Sequence, residues 1–249
     1  MKLFLSSADC GNKDALELMG KYKNKYYLYS YFNIRNKKDI LTYLTVDGEI
    51  FIDSGAHTLQ KPGKKVDWDK FVEEYINFIN KYKKYIDYIV ELDVENKIGL
   101  KKVEEYRDKI WKETGVEPIV VWHKERGFDY LKMMIKKYKV IGFSGFVEAN
   151  TGDKEVPDEY VDIFLKMAND NGCKVHGFGY TRADVYRRKF YSIDSSSWSA
   201  GHRFGQISEF IDNRIRNKMT LRNYGKKYQD ITENNVKEWV KYQQFLDKI

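Results

Sequence analysis

The stretch FYSIDSSSWSAG, Phe190–Gly201, opens like a buried strand and stops on a lone carboxylate, Asp194. Phe190, Tyr191 and Ile193 supply the apolar run; small serines and Trp198 follow. The same layout recurs along the chain. Short apolar runs occur at 2–6 (KLFLS), 26–32 (YYLYSYF), 49–55 (EIFIDSG) and 88–94 (YIVELDV). They continue at 118–123 (PIVVWH), 139–147 (KVIGFSGFV), 174–179 (KVHGFG) and 190–196 (FYSIDSS). Most are continuous rather than alternating, the pattern of strands covered on both faces.

The intervals carry helical periodicity. Asp67 is placed to cap a helix over 68–83, where Phe71, Val72, Tyr75, Ile76 and Ile79 share one face. Segments 97–114, 127–137 and 157–170 read the same way, with Gly115 and Gly172 as stop signals. After the eighth strand the chain runs through 207–219 and ends in a helix over 233–248, with Thr232 as its expected N-cap. Eight strands alternating with helices in 249 residues predict one α/β domain spanning 1–249. The expected architecture is a (β/α)8 TIM barrel with C-terminal helices. A doubly wound open sheet is the alternative.

Composition narrows the class. A 42% hydrophobic, 33% charged chain with only 3 Pro is globular rather than disordered. The net charge of +7 favours phosphate-bearing partners, although dispersed lysines also fit an ordinary solvated surface. Cys10 and Cys173 form no CxxC pair, which excludes a disulfide framework and a cysteine-rich zinc site. The N-terminal apolar run is too short for a signal peptide, and no stretch approaches the ~18 apolar residues of a membrane span. A cytoplasmic protein without a membrane partner is expected.

Active sites of such barrels lie at the C-terminal ends of the strands. Strand three ends on Asp53-Ser54-Gly55-Ala56-His57, strand four on Glu91-Leu92-Asp93 and strand five on Trp122-His123. Strand six ends on Gly142-Phe143-Ser144-Gly145, strand seven on His176-Gly177-Phe178-Gly179 and strand eight on Asp194. Each has an ordinary structural reading: a turn aspartate, a helix cap, a core histidine, a packing glycine. Their recurrence at one end of successive strands favours a site. Glycines let backbone approach a flat ligand. Carboxylates suit a ligand with N–H donors and an oxocarbenium-like sugar.

In order, FIDSGAHT, IGFSGFVEAN, KVHGFGYT and YSIDSSSWSAG resemble the tRNA-guanine transglycosylase superfamily, above all its DpdA-type branch. That branch is linked to inserting 7-deazaguanine bases into DNA, often in phages. The resemblance covers about Phe51 to Gly201 and implies a base exchange without a cofactor. Asp194 would be the nucleophile that attacks the sugar's anomeric carbon, and Asp53 the proton handler beside the base. Asp93, Ser144 and Gly145 would read the base, together with His123, His176 and Gly177. The substrates implied are a 7-deazaguanine base and DNA, with tRNA as the alternative; for a phage protein the setting is the host cytoplasm.

The sequence also departs from the family. His123 stands where a Gln is usual, and Ala56 replaces the second glycine of the Asp-Ser-Gly-Gly motif. The zinc-binding cysteines are absent from 207–249, so no structural metal is expected. Arg182, Arg187, Arg188, Lys189 and Arg203, which bracket strand eight, are the candidates for holding nucleic acid. Two rival readings fit the same residues. His57, His123, His176 and Asp194 could gather a metal for hydrolysis, although no His-x-His or His-Glu-x-x-His spacing occurs. A non-catalytic nucleic-acid-binding module is the other.

Overall fold

A computed structural model describes residues 1–10, 13–59, 66–144, 157–201, 205–219 and 228–249. Eight parallel strands form one sheet: β1 (Lys2–Ser6), β2 (Tyr26–Ser30), β3 (Glu49–Asp53), β4 (Tyr88–Ile89), β5 (Val120–Trp122), β6 (Val140–Phe143), β7 (Lys174–Gly177) and β8 (Ser192–Ser195). Their order is β4-β3-β2-β1-β8-β7-β6-β5, and a parallel bridge between Val90 and Ile119 joins the two ends. The strands thus run in sequence around a closed ring, which makes the chain a (β/α)8 barrel.

The pleat sorts the strand residues into two cores. Phe4, Tyr26, Leu28, Phe51, Val90, Ile119 and Val121 pack together inside the ring. The alternate positions, among them Leu3, Leu5, Ile50, Ile52 and Ile193, pack outward against the helices. At the strand N-termini the interior is tied by Lys2, whose ammonium donates to Glu49, Tyr88 and Tyr191 at 2.6–3.1 Å.

The seam between β4 and β5 has only one bridge, and a side chain reinforces it. The Val121 amide donates to Glu91 Oε1 at 2.8 Å, so a carboxylate acts as ladder acceptor. Glu91 is fully buried between Arg107 and Arg126, which donate to it at 3.2 and 2.7 Å. Burial pushes the Glu91 carboxyl above its ordinary range, although Arg126, Arg107 and the Val121 amide oppose this.

The expected helices form with small shifts. Trp68–Tyr82 is capped by Asp67, which accepts from the Lys70 amide at 3.0 Å. The 97–114 segment divides at Gly99 into Glu95–Ile98 and Leu100–Thr114, and Gly115 ends the second piece in the left-handed region at φ 73°. Gly127–Lys137 and Asp158–Asp170 follow the expectation.

The C-terminal region corrects it. Gln206–Ile211 and Arg214–Met219 form an antiparallel hairpin, β9 and β10, where no element was expected. The last helix starts earlier, at Tyr228–Leu246, so Thr232 lies inside it and is not its N-cap. The hairpin packs on this helix through Phe210 against Tyr242 and Phe245, and Trp239 donates to Ser208 Oγ at 3.1 Å.

Candidate functional site at the carboxyl ends of the strands

The interior period of six of the strands brings a polar residue to the mouth. Ser6, Ser30, Asp53, His123, Ser144 and Asp194 all continue the inward-facing positions of β1, β2, β3, β5, β6 and β8. Asp194 is 9% exposed, and its Oδ1 accepts from the Gly179 amide at 2.7 Å. Trp198, after β8, donates to the Ser6 carbonyl at 2.7 Å and pins the following turn to β1.

Asp53 is half-buried, and its Oδ2 accepts from the Gly55 amide at 3.2 Å. Desolvation by burial, then the charges of Asp93, Asp194 and Asp9, push its carboxyl up to about 7. Gly55 is required here. Its φ is +72°, and a Cβ would lie 2.4 Å from Ser30 Oγ and 2.5 Å from Phe32 Cβ. The turn that presents Asp53 therefore closes directly on the end of β2.

Across the mouth, His123 Nε2 lies 3.5 Å from Asp93 Oδ2 and 4.0 Å from Glu95 Oε1. Burial disfavours the imidazolium, but Asp93 and Glu95 outweigh it and raise the pKa of His123 above the usual 6.5. Arg126 bonds Glu95 and the seam residue Glu91, both at 2.7 Å, and so anchors this pair to the barrel wall.

Sequence reasoning missed Asp9, which is 2% exposed in the loop after β1 and accepts from the Ser30 amide at 2.9 Å. Burial raises its pKa, against hydrogen bonds from Ser30, Asn33 and Cys10. The sequence held a signal: SSAD also follows an apolar strand, but its acid stands three residues beyond the strand end.

Several expected residues sit elsewhere. His176 is fully buried below Asp194, among the rings of Phe178, Phe51 and Phe4, and offers no surface to a base. Gly177 makes room for packing rather than for a ligand, since a Cβ there would meet Phe190 at 2.9 Å and Tyr180 at 3.0 Å. Gly142 likewise clears space for the Phe178 ring. Ser144 is half-buried at the end of β6, where its amide donates to the Trp122 carbonyl at 3.0 Å. Gly145 and Arg203 lie outside the described residues.

The basic cluster also divides. Arg188 is spent internally, bonding Asp184 at 2.6 Å and Asp162 at 3.0 Å with its side chain 6% exposed. Lys189 is exposed at the opposite face: its carbonyl accepts from Asn169 at the end of the helix before β7. Arg182 lies over the Tyr180 ring and Arg187 over Tyr186, and Arg187 is exposed.

Among the described residues, no three His, Cys, Asp or Glu side chains gather in a group that could hold a metal ion. His123 faces Asp93 and Glu95, whereas His176 faces Ser192 and Asp194. The side chain of His57 lies outside the described set. No described helix is long and apolar enough to cross a membrane.

No protein-family model matches the chain. No curated protein matches it in sequence. Solved structures do match in shape. Two variant tryptophan synthase α-subunits from the hyperthermophile Pyrococcus furiosus superpose with TM-scores of 0.55 and 0.54 at 13% identity. Each comparison covers 96% of this chain and 98% of the other. An aldolase superposes with a TM-score of 0.51 at 13% identity, covering 79% of this chain and 89% of its own. At this identity the likeness speaks for the fold alone, and it agrees with the closed ring of eight parallel strands.

Proposed function

We propose that the protein is an enzyme of nucleic acid base exchange, a guanine/7-deazaguanine transglycosylase acting on DNA in preference to tRNA. One observation carries this reading: a carboxyl held at about 7, Asp53, shares the barrel mouth with a second, hydrogen-bond-anchored carboxylate, Asp194. Two carboxyl groups in contrasting environments at one site suit a division of labour between acid and nucleophile.

In this reading Asp194 Oδ2 bonds to the anomeric carbon of the nucleotide. The glycosidic C–N bond breaks, its electron pair goes to the departing guanine, and Asp53 donates the proton that neutralises it. The incoming 7-deazaguanine then gives its glycosidic N–H proton to Asp53, and the freed nitrogen displaces Asp194 from the sugar. Asp93, oriented by His123, supplies an acceptor for base N–H groups, and Ser144 lines the same rim. A nucleotide within a duplex must first be extruded, at roughly a few kcal/mol.

The test offers labelled guanine and several 7-deazaguanines to the protein with duplex DNA, single-stranded DNA and tRNA. The expected outcome is label in DNA, abolished by Asp194→Ala, and a protein–DNA adduct that survives denaturation. Incorporation that persists in Asp194→Ala refutes the nucleophile; no incorporation into any polymer refutes the activity.

A further inference from the structure

His176 is not available to a base, yet it is not an ordinary core histidine either. Its Nδ1 lies 2.8 Å from Ser192 Oγ, and Ser192 is 2% exposed. Its Nε2 is buried without a hydrogen-bond partner and lies 3.6 Å from Asp194 Oδ1. The ring is boxed by Phe178, Phe51 and Phe4, with centroids 4.5, 4.6 and 6.2 Å away. A polar atom placed in such a box without a partner costs free energy. Among the described residues, the acceptor that lies beside that atom is Oδ1 of Asp194, the candidate nucleophile.

We infer that Ser192, His176 and Asp194 form a buried relay in which His176 is a positioning residue for Asp194. This rests on the base-exchange reading of the mouth. Electrostatics selects the tautomer. With the proton on Nδ1, the Nε2 lone pair would face a carboxylate oxygen, which is repulsive. With the Ser192 hydroxyl donating to Nδ1, the proton sits on Nε2 and points at Asp194 Oδ1.

The present separation exceeds hydrogen-bond length, and a movement of about 0.6 Å closes it. Oδ1 then has two donors, the Gly179 amide and His176 Nε2–H. When Oδ2 is esterified to the sugar, Oδ1 is the carbonyl oxygen of that ester. When the incoming base displaces Asp194, the C–O bond electrons return to the carboxylate, and both donors stabilise the charge that develops. No proton leaves His176 in either half-reaction. Its part is to fix the orientation of Asp194 and to make it a better leaving group.

The experiment has two arms. In ¹⁵N-histidine-labelled protein without substrate, two-bond ¹H–¹⁵N couplings report the tautomer of His176. The expected form is Nε2–H, with its resonance displaced in Asp194→Asn; an Nδ1–H form, or a resonance indifferent to that change, overturns the relay. In the exchange assay, His176→Phe fills the aromatic box without a donor, and His176→Gln restores one. Expected is a kcat lowered about 10–100-fold in His176→Phe, KM for the incoming base within about twofold, and most of kcat regained in His176→Gln. An unchanged kcat in a folded His176→Phe overturns the relay. Wild-type protein that exchanges no base overturns the base-exchange reading instead, and the spectroscopic arm then decides the relay by itself.

Discussion

Replacing Asp53 by Asn should make the protein more stable while destroying the proposed activity. The carboxyl is held at about 7, against an ordinary 3.8, by burial and by Asp93, Asp194 and Asp9. A displacement of that size corresponds to about 4 kcal/mol of penalty on the ionised form. Water at the half-open mouth screens part of it, so about 2–4 kcal/mol is expected. Asn keeps an oxygen for the Gly55 amide and removes the charge.

The sign follows from proton linkage. Below pH 3.8 Asp53 is neutral in both folded and unfolded chains, and the substitution changes little. Between 3.8 and about 7 the folded chain keeps a proton that the unfolded chain has lost, so wild-type stability falls as pH rises. Above about 7 the full penalty is present. Urea denaturation at pH 5 and pH 8 should therefore give Asp53→Asn a gain that at least doubles between the two. In the base-exchange assay the same variant should lose about 10²–10⁴-fold in kcat for want of its proton carrier. A variant whose stability matches wild type at both pH values refutes the account of Asp53 as a strained, protonated acid.

Three further outcomes follow from the same geometry. Glu91→Ala removes the buried charge that Arg107 and Arg126 share, leaving them the more exposed Glu104 and Glu95, and removes the acceptor of the Val121 amide; denaturant unfolding should show a loss of about 3–5 kcal/mol. Gly55→Ala forces a side chain into φ +72° and onto Ser30 Oγ and Phe32 Cβ, so it should cost at least about 1–3 kcal/mol. NMR titration of His123 should give a midpoint above 6.5 that falls in Asp93→Asn. The stabilisation from this pair is fully present below pH 6.5 and disappears as pH rises through the folded midpoint.

Local features carried the legible part of the fold. Strand identity is written in short apolar runs, and the cap at Asp67 and the left-handed stop at Gly115 need only neighbouring residues. The hairpin at 206–219 was hidden because QISEFI and RIRNKM alternate against a helix outside the barrel, and their apolar residues are sparse. At the site, strand-end acids were readable for the same local reason. Partnership was not: Asp9 meets Ser30, Glu91 meets Arg107 and Arg126, and Arg188 meets Asp162. Only the folded ring brings those groups together. His176 shows the limit most plainly: it shares the inward face of the barrel with the mouth residues, and two residues along a strand separate the layer that lines the mouth from the one sealed beneath it.

The two ends of the barrel differ in charge balance, and this constrains how nucleic acid would approach. At the strand N-termini Lys2 is matched by Glu49 and shielded among tyrosines. At the C-terminal ends Asp9, Asp53, Asp93 and Asp194 share one neighbourhood, in a chain whose net charge is +7. A phosphate cannot approach such a mouth without repulsion, which in a partly dehydrated cleft is not screened away. On the base-exchange reading, then, only the base and sugar enter. The phosphates stay on the rim, where Arg182, in the loop after β7, remains as a contact once Arg188 and Lys189 are set aside. The acids that repel the backbone are the ones that stabilise a cationic sugar, so the same charge both sorts the parts of the substrate and lowers the barrier to exchange.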